Sequence, residues 1–243
     1  MLKKTYQAAM AAYYVIDAVA RIRSDSFKEG VTPQDVYEHA FTFSKRVLDM
    51  LRVHVEVDGI DDLVRGPGII CQNHTSLLDI PALLMFPGRK YFGTKKELFH
   101  IPIFGQGMHA VGMPIIDRSN PRQAYSSLED AVRRMGEDPD PESYYLVMFP
   151  EGTRSSSRDY SMSDFRMGAF NLAARAGLAI IPVASYGAAG ILPKKSLDVT
   201  PGTIHLRILP ALHPQDDSKD TAVKLCRETR QAIGEAIWDM MRR

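Results

Sequence analysis

The sequence predicts an α/β fold, with a central, mostly parallel mixed sheet flanked by helices and an N-terminal two-helix element. Strand-like apolar runs alternate with helical patterns over most of the 243 residues, which is typical of a sheet layered by helices. Two such runs, Ile69–Cys71 and Tyr144–Phe149, lead at once into polar residues, as strands do at a functional sheet edge. The length and the 45% hydrophobic content suit one globular domain, perhaps with a small accessory piece.

The N-terminal element is predicted to span residues 1–52, and the α/β domain residues 53–243. The helices of the N-terminal element are expected at 3–23 and from Pro33 to about Leu51, with Thr32 as the N-cap of the second. Up to Lys28, this region contains five basic residues and only two aspartates, so it carries a positive net charge. Two interpretations stay open: the helices cover the core, or they form an interfacial hairpin with basic residues at the lipid headgroups.

The remaining elements follow from local signals. Asn120 and Pro121 read as the N-cap and first position of a helix, Gly177 closes another, and Pro182 marks a strand edge or an irregular point. Strands are predicted near 53–57, 69–71, 91–93, 113–116, 144–149, 179–185 and 203–209, helices near 76–85, from 95, and over 120–135, 165–176 and 220–241, and a loop over 187–190. The last helix is expected to present one apolar face made of Val223, Cys226, Ile233, Ile237 and Met240.

Composition argues against several classes of function. The net charge of +1 gives no nucleic-acid signature. Cys71 and Cys226 have no CxxC spacing, so we expect buried thiols in a reducing compartment. The histidines show no ligand-like spacing, so neither a metal site nor a cofactor is predicted. The 13-residue apolar stretch Ala8–Ala20 is shorter than the roughly 20 residues of a spanning helix and lacks signal-peptide features.

The first candidate site is the segment after the strand at 69–71, where His74 and Asp79 are five positions apart. On one continuous helix this spacing places two side chains roughly 140° apart. If His74 lies instead on the loop and Asp79 within the helix that Thr75 or Ser76 caps, the two can bond. The aspartate would then hold one imidazole nitrogen protonated and leave the other free as a base.

The second candidate site is the turn Met148–Arg154, MFPEGTR, where Glu151, Thr153 and Arg154 are the polar groups. Together the segments resemble the glycerolipid acyltransferases, in particular the lysophosphatidate (1-acylglycerol-3-phosphate) acyltransferase family. NHTSLLD is similar to its N-H-x-x-x-x-D motif, and GMPIIDR at 112–118, FPEGTR and IIPV at 180–183 are similar to its second, third and fourth motifs. All four occur in the family's order over residues 70–185.

The resemblance implies roles for individual residues. His74 and Asp79 would be catalytic, and Arg118 and Arg154, together with a lysine, would hold the substrate phosphate. Lys95 is favoured for that lysine over Lys96 because it lies nearer the strand end. Glu151, Gly152 and Thr153 would also lie at the acceptor site, with the Glu151 carboxylate on a hydroxyl, an arginine or the turn itself.

The implied reaction moves a fatty acyl chain from a thioester to the free hydroxyl of lysophosphatidate, giving phosphatidate. Acyl-CoA and acyl carrier protein remain alternative donors; other lysophospholipids, glycerol-3-phosphate and other lipids remain alternative acceptors. A Ser-His-Asp hydrolase lacks a G-x-S-x-G elbow, and a non-catalytic lipid-binding protein would not need every motif residue. The resemblance also implies a peripheral or monotopic enzyme on the cytoplasmic face of a membrane.

Overall fold

Strands and helices alternate along the chain in a computed structural model that describes residues 2–25, 33–101, 104–110, 112–117, 119–137, 144–155, 160–196 and 198–242. The helices are α1 (Leu2–Asp25), α2 (Pro33–Leu51), α3 (Asp79–Leu83), α4 (Phe104–Ala110), α5 (Pro121–Gly136), α6 (Gly168–Ala176), α7 (Ala188–Ile191) and α8 (Lys219–Met241). The strands are β1 (Val53–Asp58), β2 (Gly68–Gln72), β3 (Arg89–Phe92), β4 (Thr94–Lys95), β5 (Ile115–Ile116), β6 (Tyr144–Met148), β7 (Ala179–Tyr186) and β8 (Gly202–Ile208).

Six strands form one sheet in the order β1-β8-β7-β2-β6-β3, and β4 pairs with β5 separately. Strands β7, β2, β6 and β3 are parallel, whereas β8 runs antiparallel to β7 and carries β1 with it. Strand β2 is central and buried along its whole length, as expected of a parallel strand covered on both faces. The predicted mostly parallel mixed sheet is therefore confirmed.

Alternate residues of the central strands supply two separate cores. Ile70, Val147 and Ile181 face one side, where they pack with residues of α2, α3 and α7. Ile69, Leu146 and Ile180 face the other side, under α5, α6 and α8. Because side chains of a strand alternate between faces, the same apolar runs serve both layers. The N-terminal helices pack on each other and α1 also contacts α4, and the predicted boundary at residue 52 stays a prediction.

Several local predictions are confirmed. The Asn120 side chain caps α5 by accepting a hydrogen bond from the N–H of Gln123, and Gly177 ends α6 with a φ of 65°. Pro182 lies in β7 between its ladder with β8, which starts at Val183, and an isolated bridge at Ile180. Pro182, which has no backbone N–H to donate, therefore lies at an irregular point of the strand pairing, although β7 is an interior strand. Thr32 lies outside the described residues.

Other local predictions are wrong. Residues 188–191 form the short helix α7 where a loop was predicted. Helix α6 begins at Gly168, three residues after its predicted start. Val223 is 55% exposed, because the buried face of α8 passes through Ala222 and Leu225 on either side of it. Among the described residues, no helix has an apolar stretch long enough to cross a bilayer.

Candidate active site

The carboxyl ends of β2, β6 and β7 meet at one edge of the sheet, since these strands are adjacent and parallel. Asn73 and His74 follow β2, and Phe149 and the FPEGTR turn follow β6. The backbone ties the two loops together, because the N–H of Ser155 donates to the carbonyl oxygen of His74 at 2.7 Å. The motifs after separate strands therefore form one site, as the general rule for such sheets predicts.

His74 and Asp79 are in contact. The His74 Nδ1 lies 2.9 Å from the Asp79 Oδ2, so the predicted contact between the two side chains is confirmed. His74 lies on the loop and Asp79 is the first residue of α3. The predicted start of that helix at residue 76, with Thr75 or Ser76 as N-cap, is wrong, because the N–H groups of Thr75 and Ser76 bond to the Asp79 carboxylate and the helix begins only at Asp79. The Ser76 hydroxyl donates to the carbonyl of Leu192 at 2.8 Å and accepts from the N–H of Leu78 at 3.2 Å, so it holds the turn before α3.

The Asp79 carboxylate organises the whole loop. Its Oδ2 also accepts hydrogen bonds from the N–H groups of Thr75 and Ser76, both at 2.8 Å. Its Oδ1 accepts one from the Ser185 hydroxyl at 3.1 Å, and the side chain has no solvent exposure. Burial of a carboxylate is tolerated when hydrogen bonds satisfy it, so these four donors explain why Asp79 can lie beneath the imidazole.

The imidazole of His74 is held in one orientation. Its ring stacks on Phe149 with centroids 4.0 Å apart and planes 19° apart, and 14% of the side chain remains exposed. A carboxylate only accepts hydrogen bonds, so its bond to Nδ1 assigns the ring proton to that nitrogen. Within the part of the chain that the structure describes, no protein group bonds to Nε2, which leaves it as the basic nitrogen.

Glu151 connects the two motif loops through the backbone. It is buried, and its two carboxylate oxygens accept hydrogen bonds from the N–H groups of His74 at 2.8 Å and Ser163 at 3.0 Å. Burial raises the pKa of this carboxyl, and the two N–H donors oppose that shift. Among the described residues, the partners of Glu151 are thus two backbone N–H groups outside the turn, and not a hydroxyl or an arginine as the sequence allowed. Its place in the acceptor site stays a prediction.

A second pair of residues joins β2 to β7 just beneath the histidine. The Asn73 amide donates to the carbonyl of Ser185 at 2.9 Å and accepts from its N–H at 2.8 Å. This reciprocal contact holds Ser185 where its hydroxyl reaches Asp79. Ser185 was not predicted from the sequence, where its signal was a position two residues after the IIPV segment, near the end of β7.

The lysines of the predicted phosphate site differ in their surroundings. Lys96 Nζ bonds to the Asp117 carboxylate at 2.9 Å, and the Ser119 hydroxyl and then Lys96 lower the pKa of Asp117 to about 2. Lys95 is exposed at the end of β4, which leaves its role a prediction. Arg118, the other predicted phosphate ligand, lies outside the described residues.

The FPEGTR turn is built around Gly152, which has a φ of 70°, a conformation that favours glycine. Thr153 is exposed and Arg154 half-buried. The Arg154 carbonyl accepts a hydrogen bond from the ammonium of Lys194. His74, Asp79, Glu151, Gly152, Thr153 and Arg154 are therefore brought to one edge, and the substrate roles assigned to them stay predictions.

Comparisons with known proteins agree with this geometry. A family model described as acyltransferase matches residues 54–186. A chloroplastic 1-acyl-sn-glycerol-3-phosphate acyltransferase of Arabidopsis thaliana is 31% identical over 75% of this chain and 49% of its own length. The Saccharomyces cerevisiae and Pseudomonas aeruginosa proteins of that name are 30% and 28% identical, over 77% and 76% of this chain and 61% and 69% of their own lengths.

The chain thus spans about half of the plant relative and 61% of the yeast relative. The fold is similar to the crystal structure of the 1-acyl-sn-glycerophosphate acyltransferase PlsC from Thermotoga maritima. The TM-score is 0.82, with 23% identity and coverage of 100% of this chain and 96% of that one. At this identity the likeness concerns the fold.

Proposed function

Because the chain belongs to the acyltransferase family, we propose that it transfers a fatty acyl chain from a thioester to the free hydroxyl of lysophosphatidate, giving phosphatidate. The curated relatives carry the name of this activity. The observation that carries the proposal is the His74–Asp79 hydrogen bond at 2.9 Å, which leaves Nε2 as a free base at the edge where the motifs meet.

In the proposed reaction, His74 Nε2 accepts the proton of the acceptor hydroxyl while the hydroxyl oxygen attacks the thioester carbonyl carbon. The carbon–sulfur bond then breaks, and the imidazolium returns the proton to the departing thiolate. A thioester is already activated, so no covalent enzyme intermediate is needed. Asp79 keeps the proton on Nδ1 and stabilises the imidazolium by its negative charge.

The acceptor phosphate would be held by cations near this base. Arg154 lies on the turn that bonds directly to the His74 carbonyl through Ser155, and the resemblance adds Arg118 and Lys95. Arginine suits this role because its planar guanidinium can form two hydrogen bonds to one phosphate. Gly152 and Thr153, on the same turn, would line the acceptor site beside Arg154.

The activity is tested by following thiol release from a thioester in the presence of different acceptors. We expect release that requires lysophosphatidate and produces phosphatidate, with weaker rates for glycerol-3-phosphate and for lysophospholipids with larger headgroups. Running each acceptor with acyl-CoA and with acyl carrier protein identifies the donor. Thiol release without any acceptor would indicate a hydrolase, and no release with any pair would indicate a non-catalytic lipid-binding protein.

We also propose that the protein attaches peripherally to the cytoplasmic face of a membrane through α1. Tyr13 and Ile16 on α1 are 57% and 49% exposed. Helix α4 contacts both α1 and the segment that follows β4, where Leu98 and Ile101 are further exposed apolar side chains. Exposed apolar groups on neighbouring elements are suited to insertion at a bilayer interface.

Replacing Tyr13 and Ile16 together by serine is expected to weaken binding to vesicles of phosphatidylcholine and phosphatidylglycerol by about tenfold or more, from the apolar area lost. Sedimentation with the vesicles measures the bound fraction. A double serine variant of Val223 and Trp238 is the control, because these residues are similarly exposed on α8. Equal binding by both variants would remove α1 as the attachment site.

A further inference from the structure

Lys194 is a cation bonded to the FPEGTR turn that none of the four motifs contains. It follows α7 in the segment after Leu192, whose carbonyl accepts the hydrogen bond of the Ser76 hydroxyl. Its own ammonium donates to the carbonyl of Arg154. The segment 192–194 therefore bonds to the loop after β2 and to the FPEGTR turn, although Lys194 lies beyond the residues that the family model matches.

One peptide unit connects Lys194 to the catalytic loop. The carbonyl of Arg154 accepts from Lys194, and the N–H of the same peptide, which belongs to Ser155, donates to the His74 carbonyl at 2.7 Å. The dimensions of a peptide and two hydrogen bonds place the ammonium about 8 Å or less from the His74 carbonyl oxygen. This separation allows one small phosphorylated molecule to contact both regions.

No carboxylate among the described residues pairs with Lys194 or with the Arg154 side chain. Glu151, on the same turn, uses both oxygens on backbone N–H groups. An ammonium has three N–H donors and the Arg154 carbonyl takes one, so two remain for a ligand. The half-buried position of Lys194 limits competition by water.

A second cation supports the same assignment. The Arg166 guanidinium lies against Gly152, where an added Cβ would be 2.7 Å from its Nε, and the N–H of Arg166 bonds to the Pro150 carbonyl at 2.9 Å. The turn after β6 is thus contacted by Arg166 at Gly152 and by Lys194 at Arg154. A phosphate monoester carries about −1.5 to −2 charges near pH 7, so it is neutralised by more than one cation, and Arg166 and Lys194 both lie at the turn that carries Arg154.

We propose that Lys194 binds a phosphate group of the substrate together with Arg154 and so makes the enzyme selective for phosphorylated over neutral acceptors. This inference rests on the proposed function. The ammonium donates to the phosphate oxygens while its bond to the Arg154 carbonyl keeps it at the turn. Lys194 is a substrate-binding residue in this scheme and takes no part in proton transfer.

The test compares Lys194→Met with Lys195→Met, which removes the neighbouring, exposed ammonium. Loss of one charge-assisted contact is expected to raise the KM for lysophosphatidate about 10–100-fold, with little change in kcat or in the donor KM. Turnover of 1-monoacylglycerol, which has no phosphate, should be equal in both variants. Lys194→Arg should restore most of the affinity, because it keeps the charge.

A raised donor KM with an unchanged acceptor KM would assign Lys194 to the phosphates of the donor instead. Equal losses of kcat on both acceptors, with a lowered melting temperature, would show that Lys194 only holds the turn and would overturn the proposal. A binding assay tests the phosphate-binding role of Lys194 independently of acyl transfer. sn-Glycerol 3-phosphate should raise the melting temperature of the wild type and Lys195→Met but not that of Lys194→Met, whatever acceptor the enzyme acylates.

Discussion

His74→Ala is expected to lower kcat about 10²–10⁴-fold, the usual contribution of a general base. The variant removes Nε2, the nitrogen that takes the hydroxyl proton in the proposed reaction. The KM values should change little, because the imidazole is not among the predicted phosphate ligands. Its ring stacks on Phe149, but the FPEGTR turn is also tied to this loop by the backbone N–H and carbonyl of residue 74, which the substitution keeps. Initial rates of thiol release with saturating donor and varied acceptor measure both quantities.

The fold should survive this substitution. Asp79 keeps the N–H groups of Thr75 and Ser76 and the Ser185 hydroxyl as partners when the imidazole is removed. Circular dichroism checks this, and His54→Ala, at an exposed position of β1, is the matched control. Near wild-type turnover by a folded His74→Ala protein would end the general-base mechanism.

The second large effect is expected at Asp79, where two substitutions separate charge from structure. In Asp79→Asn, the amide oxygen can still accept from His74, Thr75 and Ser76, so the loop should keep its shape. The negative charge that stabilises the imidazolium is lost, however, and we expect kcat to fall roughly 10²–10⁴-fold. The melting temperature should stay close to that of the wild type.

Asp79→Ala is expected to be far more damaging to stability. It leaves four donors at a fully buried position without an acceptor, and each such group costs about 1–3 kcal/mol. The sum is comparable with the total stability of a domain, about 5–15 kcal/mol. Urea unfolding measures the loss of unfolding free energy in Asp79→Ala. Asp49→Asn, at an exposed position of α2, is the control. A fully active Asp79→Asn protein would show that the charge has no catalytic role.

The regular elements could be predicted because their signals are local. The alternation of Val53, Val55 and Val57 gives β1, and the Asn120 cap and Gly177 mark the ends of helices. Predictions were wrong where a distant partner decided the outcome. The segment before α3 is a turn held by the Asp79 carboxylate and by the Ser76 hydroxyl on the carbonyl of Leu192, 116 positions away, so the helix begins only at Asp79. Val223 is exposed although the helical period allowed it on the core face.

For the site, the sequence by itself determined which chemical groups follow each strand: an imidazole and a carboxylate after β2, and a glutamate and an arginine after β6. That much follows from residue order and from the geometry of strand and turn. Only the tertiary structure decided what those groups contact. The Ser185 hydroxyl on Asp79, Glu151 on the His74 N–H and Lys194 on the Arg154 carbonyl join residues 40–106 positions apart. Such contacts depend on how strands pair and loops close across the sheet edge, and no local pattern of residues encodes that pairing.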